Sequence, residues 1–240
     1  MKALILAAGL GSRLAPLTDH LPKSLVEVNG TPILMKQIEN LHENGITDIT
    51  VVAGYLSPVL ASAVGGKYPE IRIIESVDYA ATNNMYSAYL ARDRMAGEPF
   101  LMMNADVFFD ASVIRALLDC PSPDAIVVDV GQYREESMKV TQRDGKLTAI
   151  SKAIPPEQAL GCSIDVYKFS PRGGEAFFAR CEEYIVRKND RRQWSEVALN
   201  DILPYMDFQA CPVSGRWFEI DNLDDLASAQ KLFADTAYIQ

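Results

Sequence analysis

The stretch Leu4-Ile5-Leu6-Ala7-Ala8-Gly9-Leu10-Gly11-Ser12-Arg13 constrains this chain more than any other, because a continuously apolar strand runs straight into a turn with two glycines. A strand of that kind is buried on both faces and belongs in a parallel sheet. Glycine lets backbone N–H groups approach an anion without a Cβ in the way, and the cationic side chain of Arg13 follows at once. Strand, glycine turn and cation together describe phosphate-binding chemistry. Two other glycine motifs are excluded. The dinucleotide fingerprint needs a third glycine where this chain has Leu14, and the kinase-type P-loop needs a Gly-Lys-Ser or Gly-Lys-Thr that does not occur.

The chain beyond this turn alternates. Thr31 is the candidate cap of a helix with Pro32 at its first position, Leu34, Ile38 and Leu41 form its apolar stripe, and Gly45 stops it. Ile49 to Ala53 reads as a strand, Ser57-Pro58 opens a helix that ends at Gly65-Gly66, and Ile71 to Ile74 reads as a third strand. A polar, aromatic-rich passage from Tyr79 to Tyr89 enters a helix ending near Gly97, and strand Phe100 to Met103 carries Asn104-Ala105-Asp106 at its carboxyl end. That order predicts an α/β fold with a mostly parallel mixed sheet flanked by helices. Ligands of such sheets bind outside the carboxyl ends of the strands, so the Gly9 to Arg13 loop, the Thr82 to Ser87 passage and Asp106 are expected to converge on one crevice.

Past the strand Ile126 to Val130 the pattern changes. Met138 to Arg143 and Leu147 to Ser151 flank Asp144-Gly145, a signal for a β-hairpin with a tight primed turn. This small lobe is where a second substrate, the acceptor, is expected to be read. Ser170-Pro171 starts a helix reaching Arg187, Ser195 is the candidate cap of the next, and Asn222 that of the last. With no linker-like stretch, 1–240 is expected to be a single domain, its 1–130 half mainly nucleotide-binding and its 131–240 half mainly acceptor-binding.

Composition narrows the partners. A formal net charge of −9 argues against a general nucleic-acid surface, so basic residues must be placed locally if a nucleotide is bound. No apolar run reaches the ~18 residues of a membrane helix, and no charged leader segment precedes the first strand. Cys120, Cys162, Cys181 and Cys211 are scattered without a C-x-x-C pair. A cytoplasmic protein with reduced thiols is expected.

Leu6-Ala7-Ala8-Gly9-Leu10-Gly11-Ser12-Arg13, followed by Pro22-Lys23-Ser24-Leu25, resembles the signature loop of the nucleotidyltransferases that join an NTP to a phosphorylated small molecule and release pyrophosphate. Within them the chain is similar to the cytidylyltransferases acting on phosphocholine, aminoethylphosphonate and related phospho-alcohols or phosphonates. The resemblance implies a Rossmann-like nucleotidyltransferase fold, CTP as donor and Mg²⁺ as cofactor. Asp106 resembles the family aspartate at the end of the fourth strand, and Asp221 the one preceding the last helix. Asn83, Asn84 and Ser87 resemble the Asn-Asn-x-x-Ser of the phosphocholine-type enzymes, which favours cytosine.

In such a reaction one anion attacks another, so positive charge and positioning matter more than a proton acceptor. Arg13 offers a planar fork for phosphate oxygens and Lys23 a compact charge for the α-phosphate or the acceptor phosphate. Both are expected to be catalytic, together with Asp106. Asp106 and Asp221 are the candidate metal ligands; with Asn222 beside it, Asp221 is alternatively a helix cap. Ala8, Gly9, Gly11, Ser12, Arg13, Asn83 and Ser87 are the candidate nucleotide-binding residues, with one of the two asparagines capping and the other reading the base. For the acceptor, Lys139 and Lys152 are expected to hold its phosphate. Tyr133, Trp194 and Trp217 are the faces available to a quaternary ammonium, and Glu135, Glu136, Asp165 and Glu196 the carboxylates available to a primary amine. The alternatives are a sugar-1-phosphate nucleotidyltransferase using UTP, GTP or dTTP, and a non-catalytic nucleotide-binding regulator. A homodimer is left open.

Overall fold

In a computed structural model describing residues 1–234, helices cover both faces of a nine-stranded mixed sheet. β1 (Lys2–Ala7) runs through short 3-10 turns into the hairpin of β2 (Glu27–Val28) and β3 (Thr31–Pro32), then α1 (Ile33–Glu43), β4 (Ile49–Ala53), α2 (Ser57–Lys67) and β5 (Arg72–Glu75). α3 (Asn84–Leu90) and α4 (Arg92–Met95) lead to β6 (Phe100–Asn104), β7 (Val107–Phe109), α5 (Ser112–Asp119) and β8 (Asp124–Val130). The rest comprises β9 (Lys139–Arg143), β10 (Lys146–Ser151), β11 (Gly161–Phe169), α6 (Pro171–Glu182), α7 (Ser195–Ile202), β12 (Phe208–Pro212), β13 (Trp217–Glu219) and α8 (Leu223–Leu232).

β1 lies between β4 and β6 and is parallel to both, and β4 pairs in parallel with β5. Its apolar residues alternate between two cores, as period-2 geometry requires. Ala3 and Ile5 pack with Leu34, Ile38 and Leu41 of α1 on one face. Leu4 and Leu6 pack with Met85 and Ala88 of α3 and with Phe177 of α6 on the other. β11 is antiparallel to β6, β8 and β9, which makes the sheet mixed on that side. The β9–β10 hairpin closes as expected, with Asp144 at φ 51 and Gly145 at φ 81 in its turn.

Three helix boundaries differ from the sequence expectation. Pro32 is the cap rather than the first helical residue, and Thr31 pairs in β3. α2 runs through Gly65 and Gly66 to Lys67, because neither glycine is asked for an unusual conformation. Ser195 lies inside α7, whose cap position is Trp194; its hydroxyl donates instead to Glu196 Oε1 at 3.1 Å. Ser170 and Asn222 do cap: Ser170 accepts from Gly173 N–H, and Asn222 forms a reciprocal capping box with Asp225.

Candidate active site

At the carboxyl ends of β1 and β6 lies a cavity of about 310 Å³. Its wall includes Ala8, Gly9, Arg13 and Lys23 from the first loop, Asn83, Asn84 and Ser87 at the start of α3, Asn104 and Asp106 after β6, and Glu219 and Asp221 from β13 onward. Lys152, Asp165, Trp194 and Glu196 form the far side. The N-terminal loop, the middle strand and the last strand therefore meet, as the parallel-sheet reading requires.

Lys23 is the hub. Its ammonium donates to Asp106 Oδ2 at 2.9 Å and to Asp221 Oδ1 at 2.8 Å, and Arg13 Nη2 lies 2.9 Å from the same Asp221 oxygen. Burial would push the Lys23 amine down, but the charges of Asp106 and Asp221 outweigh it and hold the amine above its ordinary value. Burial likewise opposes the ionised form of Asp221, and Lys23 and Arg13 overcome it, keeping that carboxyl below its usual range. The helix-cap role open to Asp221 falls to Asn222 and Asp225, which leaves the Asp221 carboxylate facing the cations.

Glu219 was not singled out in the sequence, yet it completes a group with Asp106 and Asp221 whose carboxylate oxygens lie within 4.8 Å of one another. It sits two residues before Asp221 on extended chain, so period-2 spacing is the signal that would have found it. Burial and the charges of Asp106 and Asp221 push its carboxyl up to about 7. Asp106 Oδ1 is buried without a hydrogen-bond partner. A crowded carboxylate trio with one orphaned oxygen fits a divalent cation of the oxygen-loving kind.

The two asparagines divide their work. Asn83 caps α3 by accepting from Asn84 N–H, and its amide donates to the Arg192 carbonyl. Asn84 accepts from Ser195 N–H at 2.8 Å and approaches Asn104 Oδ1 at 3.4 Å. Asn104 in turn donates to Asp165 Oδ2 at 3.0 Å, and the Tyr167 hydroxyl lies 2.9 Å from both Asp165 Oδ1 and Glu196 Oε1. Asp165 has φ 58 at a register break of β11 between Ser163 and Tyr167. Such a bulge turns one side chain out of the alternation, and here it delivers a carboxyl to the cavity. Burial and the like charges of Glu196, Glu219 and Asp106 raise the Asp165 carboxyl well above its ordinary value.

Six expected residues, Gly11, Ser12, Tyr133, Glu135, Lys139 and Trp217, are not brought to the cavity wall. Lys139 is fully buried, with its amine on the carbonyls of Arg134 and Glu135. Trp217 is buried, its indole N–H donating to Asp129 and its ring covered by Arg134 at 4.9 Å. Gly11 holds φ 65 and supports the loop from behind, since a Cβ there would stand 2.7 Å from Lys23 Cβ, and Ser12 begins the 3-10 turn after it. Lys152 and Trp194 do reach the cavity, with the Lys152 ammonium 5.1 Å from the indole centroid.

A cation pair facing a carboxylate trio beside a glycine loop is the apparatus of a protein that handles nucleoside triphosphates. The chain belongs to the MobA-like NTP transferase domain family, whose profile matches residues 3–182. A choline-phosphate cytidylyltransferase of Streptococcus pneumoniae is 42% identical over 115 residues, a match covering 48% of this chain and 48% of that protein. The chain thus aligns with about half the length of that relative. A CTP:phosphoglutamine cytidylyltransferase of Campylobacter jejuni is 28% identical over 94% of this chain and 98% of its own. The solved CTP:phosphocholine cytidylyltransferase of S. pneumoniae superimposes with a TM-score of 0.79 at 26% identity, covering 97% of this chain and 99% of that one. No helix among the described residues is long and apolar enough to cross a membrane.

Proposed function

We propose that the protein transfers CMP from CTP to a small phosphorylated or phosphonate acceptor carrying its own positive charge, with release of pyrophosphate. The observation that carries this reading is Lys23 clasped between Asp106 and Asp221 at the mouth of the glycine loop, with Arg13 on the same aspartate. The acceptor oxygen attacks the α-phosphorus and the bond to the leaving pyrophosphate breaks. Arg13, exposed and able to swing, takes oxygens of the leaving phosphates, and Lys23 takes charge migrating onto the α-phosphate. Asp106 and Asp221, with Glu219 beside them, would hold Mg²⁺. When bound, that ion offsets phosphate charge that would otherwise repel the acceptor. Ala8, Gly9, Asn84 and Ser87 line the part of the cavity where the base is expected, held by Asn83 at the cap of α3.

The wall supports a positive charge on the acceptor. Six carboxyl residues face three cations, Arg13, Lys23 and Lys152, around a cavity meant for two phosphorylated substrates. Asp106, Glu219 and Asp221 are answered by the metal and the loop cations; Asp165, Glu196 and Glu136 call for a cation on the acceptor. Trp194 already has Lys152 over its ring, Trp217 is buried elsewhere and Tyr133 is off the wall, so Tyr79 is the one other aromatic face on it, fewer than the cage that suits a quaternary ammonium. An ammonium with N–H groups is the better match.

The test is a pyrophosphate-release screen of the four NTPs against aminoethylphosphonate, phosphoethanolamine, phosphocholine, phosphoglutamine and several sugar 1-phosphates. Activity with CTP and an amine-bearing acceptor is expected. Turnover of sugar phosphates alone would move the protein to the sugar nucleotidyltransferases, and no turnover would favour a regulator. Lys23→Ala and Asp106→Ala are each expected to lower turnover by at least ~3 kcal/mol of transition-state stabilisation, about 10²-fold. Normal pyrophosphate release by either would remove that residue from the chemistry.

A further inference from the structure

We propose that Lys23 is the resident cation of the Asp106–Asp221 pair in the nucleotide-free protein, so that a divalent metal reaches those carboxylates only with a triphosphate that draws the lysine away. This rests on the metal assignment above. It adds that the two ligands depend on each other.

The lysine is placed for this. Its ammonium bridges one oxygen of each aspartate, at 2.9 and 2.8 Å, while only 14% of its side chain is exposed. Its stem is packed against the Gly11 turn, where even one added methyl group would stand 2.7 Å from Lys23 Cβ. A metal arriving alone would have to strip both aspartates from this ammonium and leave it sheltered from water without a counter-charge, an arrangement that is strongly disfavoured. A triphosphate changes the balance, because its oxygens supply the anions that Lys23 gives up. Arg13 is different: it touches Asp221 alone and 66% of its side chain is exposed, so solvent compensates its release. The other Asp106 oxygen, Oδ1, is buried without a partner, so it offers the metal no open approach while Lys23 stays in place. Reciprocity then requires that the metal tighten nucleotide binding by the factor with which the nucleotide tightens metal binding.

The experiment titrates Mn²⁺ into the full chain and follows water-proton relaxation, which separates protein-bound ion from ion on free nucleotide. Wild type without nucleotide is expected to bind Mn²⁺ weakly, and CTP to tighten it about tenfold or more. Lys23→Gln and Lys23→Met are both expected to bind Mn²⁺ without nucleotide about tenfold tighter than wild type or better, their fold checked by circular dichroism. Arg13→Met removes the same charge from the same aspartate and is expected to gain far less. The inference is overturned if wild type without nucleotide matches the Lys23 variants, or if Arg13→Met gains as much, since bulk charge then explains the effect. Either result leaves the pyrophosphate assay untouched. If no protein binds Mn²⁺ even with CTP, the metal assignment falls together with the inference.

Discussion

The Tyr167 phenol has one proton and two carboxyl oxygens at 2.9 Å, so it donates to one of them, and the other carboxyl must bring a proton of its own. Burial and the charges of Glu196, Glu219 and Asp106 push the Asp165 carboxyl upward, which favours Asp165 as the carrier of that proton. An ammonium N–H can take the proton's place; a trimethylated nitrogen cannot. Turnover per KM is therefore expected to fall along the series phosphoethanolamine, its mono- and dimethyl forms, and phosphocholine. The whole series spans about 10- to 100-fold, the worth of one charged hydrogen bond of about 1.5–3 kcal/mol. Asp165→Asn should flatten the series. A wild-type preference for phosphocholine would defeat the assignment. The same proton sets a pH dependence. A carboxyl whose value is raised by folding contributes stability below its unfolded value, here 3.8, and loses it as pH rises through the folded value. The melting temperature of wild type should accordingly decline with pH above that threshold more steeply than that of Asp165→Asn, and parallel curves from the two proteins would argue against the shared proton.

The turn after β4 and the loop after β1 are pressed together. A Cβ on Gly54 would stand 2.6 Å from the Ala8 carbonyl oxygen and 2.6 Å from Tyr79 Cβ, whereas one on Gly9 would meet nothing within 4 Å. Gly54→Ala is expected to cost about 1–3 kcal/mol by overpacking, read as a shifted denaturant midpoint. Gly9→Ala should leave the midpoint in place and weaken CTP binding, since it crowds the approach to the loop and not the fold. Equal destabilisation by the two would show that the loop is not free on its cavity side. Much of this architecture was legible in the residues. The strand and glycine turn around Gly9, the Asp144-Gly145 hairpin and the caps at Ser170 and Asn222 are local signals, complete within a few positions. The bulge that aims Asp165 was not legible, because it depends on how β11 registers against β6 and β8, strands far away in the chain. Lys139 and Trp217 were misplaced for a related reason: a lysine on a hairpin reads as exposed until the carbonyls that bury it are known. Ser195 looked like a cap because its partner in Glu196 is a side chain, which no propensity rule anticipates.

Across the whole molecule, the site ties together parts of the sequence that the unfolded chain keeps apart. Lys23 and Asp221 are 198 residues apart in sequence yet in contact at 2.8 Å, and Asp106 comes from the middle of the sheet. A net charge of −9 does not draw a triphosphate to the chain as a whole, so its binding depends on the local cations of the cavity, Arg13, Lys23 and Lys152. A ligand that spans the N-terminal loop, β6 and the segment after β13 binds the folded chain alone and stabilises it by mass action. With Mg²⁺ and CTP at about 100 times the dissociation constant, that amounts to ~2.7 kcal/mol. For a chain of this size it corresponds to a rise of roughly 5–10 °C in melting temperature, measurable by calorimetry. GTP and UTP at the same concentration should give smaller shifts if, as proposed, Asn84 and Ser87 meet a cytosine. Asp221→Asn should lose most of the CTP shift, because it removes a carboxylate from the proposed metal site and one that holds Lys23 and Arg13. Equal shifts from all nucleotides would sink the cytosine preference and spare the site, whereas a wild-type shift in Asp221→Asn would mean that the C-terminal segment is not part of the nucleotide site.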